Sequence, residues 1–570
     1  MRKTGGGRSR TAPRAAAPSA AGPKSPVRIE HVTRTQWLLA AVGIAAAALL
    51  VNLSTLRFGF VSWDDSWYVT QNPWIRGWSL ENLRHIFTKP YFVSYMPLQL
   101  VSYIVDYSLW GLRPFGYHLQ QILLHALDSV LAFELVRRLF GRFRLAAIAG
   151  LLFALHPSHV ESVAWVSARK DVLSAAFLIP SVLFYLRARG EQKLRVGPYL
   201  ASIALFALAV LSKVNVVVMP LFLVLVDLVT LRLPRRGRRW WIQVLGTKAP
   251  YGAIGLAISV VNWIVEVKTK AAYARDPLRY LVLKGHATWD YLGILLGVHR
   301  QNPIYDTPPI HLDPASVVVR FAGLLLLPAL VWLGFRRRSR VLAFGAGWMF
   351  VMLLPAMFFP VPTYIADRYL YLASLGFCWL LAAAMLHVSA RIRQPKLRAL
   401  TAGVLVALAA FFFAVRTTRY NRVWANSENL WSYTIQASAD FRAFNNLGRV
   451  RMEQNRWEDA ERLFKLGSRQ PNIQSWDGLT AVYYKTGRYA EALQANDKAL
   501  ALYERRAKLE RELAPLQLAE LQYKRGSVLL AQGRIEEAIE AFEAALRLDP
   551  RHADARKMLD AARQAAGPSR

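Results

Sequence analysis

Cysteine is all but missing. Among 570 residues only Cys378 carries a thiol, which excludes a disulfide framework and a thiolate metal site. Acids are short as well, 37 Asp and Glu against 72 Lys and Arg, for a net charge of +35. Charge of either sign is absent from long stretches: charged residues are 19% of the chain and hydrophobic ones 54%. Uncharged runs near 20 residues have the length of transmembrane helices, and a soluble protein of this size would carry fewer. The expected spans number about eleven: 36–53, 117–136, 144–156, 166–186, 199–212, 214–231, 249–266, 315–335, 341–359, 370–389 and 399–415. The third and fifth are short.

The place of the positive charge decides what the missing acids mean. The tail to residue 35 and the connections 137–144, 187–198, 232–248, 336–340 and 391–398 hold 30 Lys and Arg against two acids, Glu30 and Glu191. These are alternate loops, and Lys and Arg on alternate loops mark the cytoplasmic side. The basic excess is therefore a topology signal, and no nucleic-acid partner is expected. With the tail inside and eleven spans, the C-terminal region is expected outside. The tail 1–35, rich in Ala, Gly, Pro and Arg, reads as disordered. No small-residue cleavage site follows the first apolar run, which reads as an uncleaved signal-anchor.

Three domains follow: the basic tail 1–35, a membrane part 36–416, and a water-exposed part 417–570. The last carries 25 Lys and Arg mixed with 20 Asp and Glu. "FNNLGRVRMEQNRWEDAERLF", "WDGLTAVYYKTGRYAEAL" and "QYKRGSVLLAQGRIEEAIEAFEAALRLDP" align on Ala460, Ala492 and Ala538. This is the tetratricopeptide pattern, in which small alanines let paired helices approach and Trp457, Tyr489 and Ile535 are expected in the interhelix core. The fold class is all-α, a polytopic helical bundle followed by an α-solenoid. Such solenoids recognise protein segments.

Two long connections, 54–116 and 267–314, fall on the expected outer side, and both read as carrying interfacial helices. A dip of 280–298 into the membrane stays open. The chemistry-bearing residues gather on that same side. Asp64 and Asp65 follow the first span in "FVSWDDSWYV". Adjacent carboxylates repel, so one is a candidate for a raised acidity constant and general-base work, with a loop acid or helix cap as the alternative. "HPSHVE" offers His156, His159 and Glu161, open between metal ligation, a helix cap and hydrogen bonding to phosphate. Arg169, Lys170, Lys213 and Arg368 sit at or below the boundary, where unpaired charge is costly; they read as a cationic phosphate pocket or as snorkelling side chains. His118, His125 and Asp128 share one face of the second span, and packing is the favoured reading there.

"FVSWDDSWYVTQNPWI", "YHLQQILLHALDSV", "LFALHPSHVESVAWVSARKDVLSAAF", "ADRYLYLASLGFC" and "WANSENLWSYTIQASADFRAFNNLG" fall in the order of the transmembrane and tetratricopeptide repeat-containing O-mannosyltransferase-like family. The resemblance spans about residues 36 to 550, with His156–Asp171 the most specific part. It implies a GT-C-type glycosyltransferase that moves a single, mannose-like sugar from a polyprenyl-phosphate donor to a protein hydroxyl outside the cytoplasm. The expected location is a bacterial inner membrane with the N-terminus cytoplasmic and the repeats in the periplasm or outside. The resemblance also implies Asp64 or Asp65 as general base, and His156, His159, Glu161, Arg169, Lys170, Lys213 and Arg368 as donor or acceptor contacts. It implies no required cofactor, a divalent cation being disfavoured. The expected partners are the lipid donor, a protein or peptide acceptor held by the repeats, and membrane lipids. Two departures stand out: Asn215 where relatives often carry proline, and a short repeat array. The competing readings are a glycan- or lipid-modifying transferase and a non-catalytic scaffold for an envelope complex.

Overall fold

The computed structural model describes residues 30–566 apart from 93, 190–193, 231–240, 243, 271–276, 310–312, 359–362 and 510–514. The basic tail to residue 29 and Glu191 lie outside the described residues. The membrane part runs through α1 (Arg34–Asn52), α2 (Leu80–Thr88), α3 (Pro97–Trp110), α4 (Pro114–Phe140), α5 (Phe143–Leu155), α6 (Val160–Ala164), α7 (Arg169–Ala188) and α8 (Val196–Ser212). It continues with α9 (Met219–Thr230), α10 (Ala249–Lys270), α11 (Pro277–Leu296), α12 (Pro314–Arg336), α13 (Arg340–Phe358), α14 (Leu370–Ala390) and α15 (Pro395–Asn421).

The chain is an integral membrane protein. Among the described residues, seven helices are long and apolar enough to cross a membrane: those carrying α1, α4, α7, α12, α13, α14 and α15. Counting α5 and the following Pro157–Ala164 segment, bent by 50° at His156–Pro157, as one broken span gives eight; the same pair has the form of a re-entrant loop as well. The expected spans 199–212 and 214–231 correspond to shorter apolar helices, Val196–Ser212 and Val214–Thr230. The expected span 249–266 falls in α10, whose side chains are described only to residue 264.

Without a hydrophobic drive between helices in lipid, close approach depends on small residues. A Cβ on Gly376 would stand 2.4 Å from the carbonyl oxygen of Gly345, so α13 and α14 cross at a glycine pair. A Cβ on Gly323 would stand 2.4 Å from the Gly285 carbonyl, which sets α11 directly against α12. That contact brings the segment 280–298 into the bundle beside a span. The long connection after α1 is more than interfacial helices. Tyr68, Val69, Ile75, Ile86, Leu100 and Tyr103 form a small core with Tyr117 of α4 and Val166.

The last span continues as α15 to Asn421, past the expected boundary near 416. Beyond it come α16 (Ser427–Thr434) and three antiparallel helix pairs: α17 (Phe441–Glu453) with α18 (Trp457–Gly467), α19 (Ile473–Lys485) with α20 (Tyr489–Leu509), and α21 (Pro515–Ala531) with α22 (Ile535–Leu548). A final helix, α23 (Ala553–Ala565), closes the array. Gly487 and Gly533 turn each pair at φ 75° and 77°, with Asn455 at φ 57° in the first. These left-handed positions end the leading helix and are where Gly or Asn is favoured.

Ala460, Ala492 and Ala538 are fully buried as expected. Trp457 and Tyr489 lie only partly buried at the flank. The rings at the centre are instead Phe464 and Phe542. A Cβ on Gly448 would lie 2.9 Å from the Phe464 ring and one on Gly478 2.4 Å. Phe464 is thus held between two glycines and cannot retreat from either. Gly478→Ala is expected to cost about 1–3 kcal/mol through overpacking, read as a lower melting temperature of the full chain in detergent. An unchanged melting curve would show that the solenoid absorbs the methyl group.

Candidate active site

The acidic pair sits where the chain leaves the first span and begins Ser66–Thr70, a single π-helical turn. Such turns often occur at functional sites. The two carboxylates have different surroundings. Asp65 is buried: Oδ2 accepts the Val61 N–H at 3.0 Å, and Oδ1 accepts the Ser167 N–H at 3.0 Å and the Ser167 hydroxyl at 2.5 Å. Burial pushes its pKa up to about 6, against the downward pull of those hydrogen bonds. Asp65 therefore fastens the first outer connection to the turn before α7. Asp64 is half-buried, and its carboxylate has no hydrogen-bond partner among the described residues. Burial raises its pKa above the ordinary carboxylate value, and the positive charges of Lys170 and then Arg368 pull it back down. A carboxylate with free lone pairs beside cations is suited to take a proton. Asp64 has that state and Asp65 does not.

His156 and His159 form the hinge that follows α5. His156 Nδ1 accepts from the Ser158 N–H at 3.2 Å and faces the Ser158 hydroxyl at 2.8 Å, while Nε2 faces the Leu295 carbonyl at 3.1 Å. His159 Nε2 meets Ser374 Oγ at 2.7 Å, and its ring lies against Phe153 and Tyr371. Glu161 accepts the Arg368 N–H at 2.9 Å and forms an ion pair with the Arg368 guanidinium. Each member of the expected triad has its own partner. Among the described residues no three His, Cys, Asp or Glu converge to hold a metal ion.

The four cations also separate. Arg169 is fully buried in an ion pair with Asp106. Its Nε donates to Gln121 Oε1 at 2.9 Å, another donor reaches the Tyr117 carbonyl at 2.7 Å, and Gln120 takes a further bond. These bonds, and the Tyr103 ring 4.9 Å away, turn the guanidinium inward as a structural post, so it is not presented to a phosphate as the sequence reading had it. Lys213 is ion-paired with Asp171 and lies over the Tyr369 ring at 5.7 Å. Lys170, 5.8 Å from the Tyr68 ring centre, has no ion-pair partner among the described residues.

A small cavity of about 30 Å³ is lined by Asp171, Ser174, Lys213, Asn215, Arg368, Tyr369 and Tyr371 with apolar neighbours. The structure thus joins Lys213 and Arg368 in one space and puts Asp64 and Lys170 within electrostatic reach of Arg368. His156 and His159 stand behind it. A wider cleft of about 360 Å³ opens among His286, Asp290, His299, Arg300 and Tyr364.

Asp171, Tyr369 and Ser167 were not among the expected site residues. Asp171 had a signal, since it closes the "SARKD" phrase one residue after Lys170. Ser167 had none, because its role depends on a contact 102 residues away.

Comparison with known proteins follows the same division of the chain. The model of the dolichyl-phosphate-mannose-protein mannosyltransferase family matches residues 88–264, and tetratricopeptide-repeat models match 477–507 and 519–552. The mouse protein O-mannosyl-transferase TMTC3 is 27% identical over 412 residues, covering 65% of this chain and 44% of that protein. The human TMTC3 is 25% identical over 548 residues, covering 81% of this chain and 58% of that one. These matches make the chain similar to the TMTC proteins. It spans about half the length of the curated relatives it matches. Among solved structures, ArnT from Cupriavidus metallidurans bound to undecaprenyl phosphate covers 90% of this chain and 80% of its own, at 17% identity and a TM-score of 0.38. That superposition is too loose to carry an argument about the site. The family match includes Glu161, Arg169, Lys170 and Lys213, and begins after Asp64 and Asp65.

Proposed function

We propose that the chain is a membrane glycosyltransferase that moves one mannose-like sugar from a polyprenyl-phosphate donor to a hydroxyl of a protein acceptor. The observation that carries this reading is the state of Asp64: a half-buried carboxylate with no hydrogen-bond partner among the described residues, within electrostatic reach of Lys170 and Arg368. In the reaction, the bond between the anomeric carbon and the phosphate oxygen breaks while the acceptor oxygen bonds to that carbon. The hydroxyl proton passes to Asp64 as general base. The leaving lipid phosphate gains charge, which fixed cations stabilise best where water is excluded. Arg368 is held for that task by Glu161, Lys213 by Asp171, and Lys170 supplies charge that no carboxylate among the described residues takes up in an ion pair.

The alternate-loop charge pattern supports a cytoplasmic N-terminus, with this site and the solenoid on the outer face of a bacterial inner membrane. The solenoid then retains the protein acceptor. The names of the TMTC relatives, protein O-mannosyl-transferases, agree with this reading. The test is incubation of the purified full chain with radiolabelled polyprenyl-phosphate sugars and envelope protein. Label in protein is the expected result. Label only in glycan or lipid would move the acceptor class, and no label with any donor would leave the scaffold reading in place.

The pH profile follows from the same geometry. Asp64 acts ionised, so kcat/KM rises as pH passes its pKa, which lies above the ordinary 3.8. Lys170 lowers that pKa, so Lys170→Gln raises it and moves the acid limb to higher pH. An acid limb that stays in place would remove Lys170 from the neighbourhood of the base.

A further inference from the structure

The first helices after the last span reach back to the acidic motif. The Gly59 N–H donates to the Ala425 carbonyl at 3.1 Å, and the Ser62 N–H donates to Ser427 Oγ at 2.7 Å. Trp431 Nε1–H donates to Ser62 Oγ at 3.1 Å. Trp63, the residue before Asp64, stands among three other indoles. It stacks on Trp165 at 4.7 Å and 21°, lies parallel to Trp424 at 6.2 Å and 4°, and meets Trp431 at 5.2 Å. Trp165 in turn lies 5.9 Å under the Arg368 guanidinium. These contacts are one core, since Val61, Trp165 and Trp424 pack with Ala443, Leu447 and Val450 of the first solenoid helix, α17.

From this we propose that Ser427 and Trp431 are positioning residues for Asp64: the solenoid's root completes the active site and does not serve acceptor recruitment alone. The inference rests on the reading of Asp64 as the base. The physical argument is local. Asp65 is fastened from the membrane side, by Ser167. The backbone at 59–62 is fastened from the solenoid side. Asp64 lies between; its carbonyl accepts the Tyr68 N–H at 2.9 Å, but its carboxylate has no hydrogen-bond partner among the described residues, so the place of the side chain is set by these two anchors. A misplacement near 1 Å can cost about a hundredfold in rate, and the loss of one anchor produces part of that.

The test uses the full chain with Ser427→Ala, Trp431→Phe and Trp431→Ala, and Arg563→Ala in the last helix as the distal control. Two quantities are read: kcat and KM with a short soluble acceptor peptide, and the rate at which a carbodiimide modifies Asp64, followed by peptide mass spectrometry. Ser427→Ala and Trp431→Ala are expected to lower kcat about tenfold with the donor KM within about twofold, and to raise Asp64 labelling several-fold. Trp431→Phe, which keeps a ring and loses the N–H, falls between them and wild type. Arg563→Ala matches wild type in both. Unchanged Asp64 labelling in Ser427→Ala and Trp431→Ala overturns the inference, as does altered labelling with wild-type kcat. A wild type that turns over no polyprenyl-phosphate sugar is a failure of the proposed function, and the labelling rates then decide the clamp by themselves.

Discussion

Asp64→Asn is expected to lower kcat by about 10²–10⁴-fold, the range lost when a positioned general base is removed, with little change in melting temperature. The small structural effect follows because the Asp64 carboxylate makes no hydrogen bond among the described residues. Asp65→Asn behaves in the opposite way. Its side chain would present an amide N–H₂ toward either the Val61 N–H or the Ser167 donors, all of which need an acceptor. A buried donor left unsatisfied costs about 1–3 kcal/mol, so this variant loses stability first and activity as a consequence. Radiolabel transfer and thermal unfolding on the two single variants separate the roles. Equal transfer by Asp64→Asn and wild type would sink the assignment of the base.

The second large effect is expected at Arg169. Its guanidinium is fully buried and neutralised by one carboxylate, Asp106. Asp106→Ala leaves that charge buried with only neutral partners, and breaking a buried pair from one side typically costs about 3–5 kcal/mol. The melting temperature of the purified protein should fall by several degrees, or the variant should fail to accumulate. Replacing both partners with apolar residues of similar volume, Arg169→Met with Asp106→Leu, should recover much of the loss. A double variant no better than the single one would mean that Gln120, Gln121 and the Tyr117 carbonyl matter more than the ion pair.

The neighbours Arg169 and Lys170 show how far the sequence could be read. Hydropathy found the membrane helices, and a recurring pattern of small residues found the solenoid, because both signals are local and recur along the chain. The candidate site was legible as a set of residue types on one side of a charge-counted membrane. What separated Arg169 from Lys170 was not. Successive residues of a helix point about 100° apart, so one guanidinium turns into Asp106 and the next cation turns toward Asp64. Nothing within "SARKD" says which is which. The acidic pair poses the same problem, since Asp65 is distinguished by Ser167, 102 residues on. The hinge histidines stayed open for a related reason: a His–Pro–Ser–His phrase suits a ligand set as well as a bend. The 50° break after α5, with each ring occupied by its own partners, fits the bend.

The indole cluster around Trp63 also has a bearing on how the protein is made. Glu161 finds Arg368 207 positions later, and Ser62 finds Trp431 369 positions later. A chain emerging from the ribosome N-terminus first therefore carries its acidic motif long before the groups that pin it have been synthesised. A product cut short anywhere before residue 431 contains the candidate base without its anchor, and one cut short before residue 368 also lacks the cation on Glu161. On the proposed function, full sugar-transfer activity is thus reserved for chains translated through the whole membrane part and into the first helices beyond it. Fragments released early would carry the acidic motif in the membrane without that full activity.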